Sequence, residues 1–86
     1  MTYCIAVFKS KTDVFAYLEL LRLSGVPAVT TGTPKEARIG CGLSVKFSKT
    51  YLGIGEAILR KKRFSGFYGI YLSSKVGSRS TLSKIR

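Results

Sequence analysis

Apolar positions change period several times along this chain, and the changes mark its elements. Tyr3 to Phe8 is almost continuously apolar and is bounded by Lys9-Ser10-Lys11. That run predicts a strand with one face covered by helices and the other partly protected. From about Thr12 to Ser24 the spacing becomes helical, with Val14, Leu18 and Leu21 in one stripe widened by Tyr17 and Leu20. Ser10 followed by Asp13 resembles a capping box, and Thr12 is an alternative N-cap; Gly25 suits the position after the helix, with Arg22 in its last turn. Residues 26–31, Val-Pro-Ala-Val-Thr-Thr, predict a short second strand that, because Pro27 lacks an N–H, either sits at a sheet edge or begins with the proline facing solvent.

The period of two returns at Leu43, Val45 and Phe47, which alternate with Ser44 and Lys46 as a third strand. A second helix is expected from about Tyr51 to Lys62, with Tyr51, Ile54 and Ile58 on its apolar face beside Ala57 and Lys61. Gly53 and Gly55 inside it cost roughly 1 kcal/mol each against alanine, so this helix depends on packing. After a turn at Gly66, residues 67–72, Phe-Tyr-Gly-Ile-Tyr-Leu, predict a fourth strand. Strand-helix-strand repeated twice predicts an α+β, ferredoxin-like βαββαβ domain over residues 1–72. Its four-stranded antiparallel sheet carries two helices on one face, the first and third strands central. Residues 73–86, Ser-rich and basic without hydrophobic period, read as a mobile C-terminal tail.

Composition narrows the function classes. Eighty-six residues, 45% hydrophobic, make one small folded domain, for which a homodimer would add burial. Two cysteines 37 positions apart are too few for a secreted disulfide scaffold. Residues 1–8 carry no basic n-region or adequate h-region and no apolar span is of membrane length, so neither a leader nor a membrane segment is expected. The expectation is a cytoplasmic protein away from membranes. With no histidine and no CxxC, a metal site or cofactor is not expected. No Ser/His/Asp set, P-loop or carboxylate pair stands out among the four acids, so no enzyme class is indicated.

The net charge is +11, and residues 1–72 alone hold +7. Such a surface attracts phosphate backbones, acidic lipids or acidic proteins. Arg60, Lys61, Lys62 and Arg63 are the densest basic run, and a nucleic-acid-binding role is one reading of them. The other is a solvated helix end, where cations favour the macrodipole. Tyr3, Tyr51, Phe67, Tyr68 and Tyr71 would be its stacking groups if they lined an open sheet face. The third strand carries no RNP-type pattern, so weak, salt-sensitive binding is the expectation.

The candidate chemistry lies at Arg38-Ile39-Gly40-Cys41-Gly42. A thiol between two flexible glycines at the mouth of a strand suits reversible sulfur chemistry, with Arg38 and Lys35 able to stabilise a thiolate. Gly40 and Gly42 leave room for a donor's cysteine. The alternative is a turn whose small cysteine only packs. Cys4, inside an apolar strand, reads as core.

Residues 4–10, Cys-Ile-Ala-Val-Phe-Lys-Ser, the helix end Leu23-Ser24-Gly25-Val26-Pro27, the turn Thr33-Pro34-Lys35-Glu36 and residues 41–47, Cys-Gly-Leu-Ser-Val-Lys-Phe, occur in the order of a known family. Over residues 3–72 the chain resembles the small selenium/sulfur carrier-like proteins. The resemblance implies a ferredoxin-like domain in which Cys41 carries a persulfide or perselenide, loaded by a cysteine desulfurase-like or other sulfur or selenium donor. The strong basicity and the added Ser-rich tail depart from that family's pattern.

Overall fold

The computed structural model describes residues 2–37 and 42–86. Seven residues, Thr2–Phe8, form β1; α1 spans Lys11–Leu23, β2 Val29–Gly32, β3 Leu43–Ser48, α2 Leu52–Lys61, β4 Phe67–Val76 and β5 Arg79–Lys84. Every pairing is antiparallel, and the sheet order is β2-β3-β1-β4-β5. The most apolar strand, β1, therefore sits at the centre, and β2 lies at an edge and begins two residues past Pro27.

One expectation is corrected by the sheet itself. It has five strands, not four, because β4 continues to Val76 and residues from the expected tail return as β5. The turn is two residues long, Gly77-Ser78, between the paired Val76 and Arg79. Gly77 has φ +61°, a backbone angle that glycine adopts without steric cost and that tight hairpins require. Leu82 supplies the missing apolar anchor, packing with Val7, Ala37 and Tyr71.

Side-chain alternation along β1 gives the sheet two different faces. Cys4, Ala6 and Phe8 join Val45, Phe47 and Ile70 beneath both helices, with Val14, Tyr17, Leu18 and Leu21 of α1. Aromatic rings dominate the centre: Phe8 lies 5.1 Å from Tyr17 and 5.4 Å from Phe64, ring centre to ring centre. The opposite face carries Ile5, Val7 and Tyr71, covered by Ala37 and Leu82.

The helices end close to where the pattern puts them. Ser10 caps α1, its hydroxyl accepting from the Thr12 N–H at 3.2 Å. In α2 the two glycines have different fates. A Cβ on Gly53 would meet nothing within 4 Å, whereas one on Gly55 would lie 2.7 Å from the Tyr17 hydroxyl and 2.8 Å from Phe47 Cζ. Tyr17 also donates its hydroxyl to the Gly55 carbonyl at 3.0 Å. The helix-weakening residue is thus the point where α2 seats against α1 and β3.

Candidate functional site: the loop between β2 and β3

Gly32, the last residue of β2, pairs with Leu43, the first of β3, so the connection 33–42 leaves and returns at one place. Its base is closed by the Thr33 N–H donating to the Gly42 carbonyl at 3.1 Å. The Thr33 and Ser44 hydroxyls share a 2.8 Å hydrogen bond, which satisfies Ser44 in its fully buried position. Pro34 starts a single 3-10 turn, Lys35–Ala37, in which the Ala37 N–H donates to the Pro34 carbonyl at 3.0 Å. The methyl of Ala37 is 1% exposed and packs on Val7 and Tyr71. One wall of the loop is thereby anchored on the helix-free face of the sheet.

Arg38, Gly40 and Cys41 lie outside the described residues. Gly42, the remaining member of the proposed site, is exposed at the closed base of the loop, with open space where a side chain would be. Beside the loop, Pro34, Glu36 and Gly32 border a shallow cleft of about 410 Å³ with Ile5, Ser73 and Leu82. The other thiol is placed in full. Cys4 is 0% exposed, between Phe47 of β3 and Leu72 of β4, and its pKa is pushed up from 9.0 to about 11. Burial is the main cause, with Glu56 adding to it and Lys49 opposing.

Register brings the basic run to the same end of the sheet as this loop. Val7 near the end of β1 faces Ser44 near the start of β3, and Phe8 faces Phe67 at the start of β4. The C-terminus of α2, which leads into β4, therefore shares that end with the connection 33–42 and the start of α1. Arg60, Lys61, Lys62 and Arg63 are all exposed there, together with Lys9, Lys11 and Lys35. Lys62 leans over the Phe64 ring at 5.5 Å.

The aromatic residues do not form the row of free rings that base stacking needs. Phe67 packs 5.6 Å from Phe8, and Tyr51 leans on the helix-side core. Tyr71 is 5% exposed. Tyr3 and Tyr68 remain half-buried, each with a lysine over its ring, Lys46 at 4.2 Å and Lys84 at 4.4 Å. Among the described residues no group of His, Cys, Asp and Glu could hold a metal ion, and no helix is long and apolar enough to cross a membrane.

Sequence reasoning missed the residues that cover the helix-free face. Ala37 gives no signal in a non-periodic stretch. For Leu82 a signal existed, since Gly77-Ser78 between Val76 and Arg79 is a two-residue hairpin pair.

Fold and loop together define a small α+β domain with one inaccessible thiol and one in the β2–β3 connection. The chain belongs to the family described as "Putative Se/S carrier protein-like", which matches residues 3–71. The match ends within β4, so β5 and the residues after it lie beyond the matched region. No curated protein and no solved structure was found to match the chain.

Proposed function

We propose that the protein carries sulfur or selenium as a persulfide or perselenide on Cys41. The observation that carries this reading is the fate of the other thiol. Cys4 is sealed in the core and its pKa lies near 11, so it is neither reachable nor ionised near neutral pH. Family membership calls for a chalcogen-bearing group, and Cys41 is the remaining cysteine.

Loading is a thiol–persulfide exchange. The Cys41 thiolate attacks the outer, sulfane sulfur of a donor cysteine persulfide. A new S–S bond forms on Cys41, the donor's S–S bond breaks, and its electron pair leaves on the donor thiolate. No external oxidant or reductant is required. The acceptor repeats the attack on the outer sulfur of Cys41, returning the thiolate. In this reading the roles proposed from the sequence for Arg38 and Lys35 are to favour the thiolate by their charge, and for Gly40 and Gly42 to spare the donor's cysteine a bulky neighbour. The donor in this reading is a cysteine desulfurase-like or other sulfur or selenium donor protein. A basic end shared by the loop and Arg60–Arg63 suits a partner with an acidic face.

The test is intact mass after exposure to a persulfide donor. The native chain is expected to gain one sulfur, removable by a reducing thiol; Cys4→Ala retains the gain and Cys41→Ser loses it. Loading that survives Cys41→Ser would overturn the assignment.

A further inference from the structure

A second cleft, of about 500 Å³, lies on the helix side at the basic end of the domain. Leu59 of α2, Phe64 and Phe67 line it with apolar surface, and Arg63, Arg86, Asp13 and Ser65 supply its polar groups. The apolar part is rigid: Phe64 meets Phe8 and Tyr17 edge-on, at 5.4 and 5.6 Å between ring centres. The two arginines reach the cleft from separate segments, one just after α2 and the other just after β5. Arg86 is held in place by Glu56, Nη1 to Oε2 at 3.2 Å, which uses one of its five donors. All four acids of the chain are described, and none forms an ion pair with Arg63. Asp13 accepts the Gly66 N–H at 2.8 Å through Oδ2, and a carboxylate has capacity for further donors.

We propose that this cleft binds a phosphate monoester carried on a flat, apolar body, of which a nucleoside monophosphate is the simplest probe. Two guanidinium groups in the lining of one cleft match the several oxygens of a phosphate better than the two of a carboxylate. The volume lies within the range of small-molecule sites and far exceeds one phosphate, so the ligand brings a body for Leu59, Phe64 and Phe67 to contact. Asp13 in the lining favours a body that also carries a hydrogen-bond donor, as a ribose hydroxyl or an exocyclic amine does. The acidic side chain disfavours a bare polyphosphate, which would meet Asp13 with charge alone. None of these residues belongs to the Cys41 loop, so the site stands independently of the sulfur reading.

Isothermal titration calorimetry of the full chain with AMP and GMP tests this, with inorganic phosphate, adenosine and a mixed-sequence oligonucleotide as separate arms. Saturable one-to-one binding of a mononucleotide is expected, at least about tenfold tighter than phosphate or adenosine alone. Arg63→Ala and Arg86→Ala should each weaken it by about tenfold or more, the scale of a lost charge-assisted hydrogen bond. Lys49→Ala, the same charge change at the far end of the sheet, should leave it unchanged, as should Cys41→Ser. Equal losses in Arg63→Ala and Lys49→Ala would overturn the proposal by showing a response to net charge. Phosphate binding as tightly as AMP, no saturable mononucleotide binding, or an oligonucleotide binding much more tightly than either mononucleotide would also overturn it.

Discussion

Removing Cys41 isolates Cys4 and turns its burial into a measurable rate. In Cys41→Ser the sole thiol is 0% exposed and has its pKa raised from 9.0 to about 11. A rise of that size leaves roughly a hundredfold less thiolate than an ordinary cysteine shows at the same mildly alkaline pH. Steric exclusion adds to this, because Cys4 lies in the central strand beneath both helices, between Phe47 and Leu72, and is reached only when that packing opens. A thiol probe at about pH 8 should therefore label the native variant at least about a hundredfold more slowly than the urea-unfolded one. The rate should rise as the domain is destabilised, since opening limits it. The native chain with both cysteines should label one thiol fast and one slowly. If Cys4 labels within about tenfold of its unfolded rate, the reasoning from burial fails, and with it the elimination that points to Cys41.

Two further outcomes follow from packing and ionisation. Gly55→Ala forces a methyl to within 2.7 Å of the Tyr17 hydroxyl and 2.8 Å of Phe47 Cζ. Overpacking of about 1–3 kcal/mol should outweigh the helix-propensity gain of up to about 1 kcal/mol, giving a net loss, whereas Gly53→Ala should gain about 0.5–1 kcal/mol. Urea unfolding of both variants decides it, and a Gly55→Ala protein as stable as the native one would refute the packing. Alkaline pH should destabilise the fold, because Cys4 and Tyr17 both hold their protons more tightly when folded, chiefly through burial. Above about pH 9 the unfolded chain binds fewer protons, so stability is full below that point and falls as pH rises through about 11. Urea midpoints across this range should decline, with Cys4→Ala flattening the first part of the fall.

What the sequence determined by itself is everything carried by local period and local chemistry. Val14, Leu18 and Leu21 specified α1, and the alternation at Leu43, Val45 and Phe47 specified β3, because each rests on geometry within a few residues. Pro27 pointed to an edge position for β2, which the sheet order has although the strand starts only at Val29. The order of turn, glycines and cysteine pointed to the carrier-like family before any contact was known. Burial of Cys4 was legible too, since a doubly apolar strand can only be central. Tertiary structure alone decided what covers the second face of β1. Ala37 and Leu82 come from segments without a long hydrophobic period, and a single apolar residue becomes core only when the chain brings it to Val7 and Tyr71. The same holds for Gly55, read locally as a helix defect, whose missing side chain is the space that Tyr17 and Phe47 occupy. It holds again for the cleft, where Asp13, Arg63 and Arg86 meet across distances in sequence that no pattern of neighbours encodes. Periodicity reports which side of an element faces inward; only the packed fold reports what it meets there.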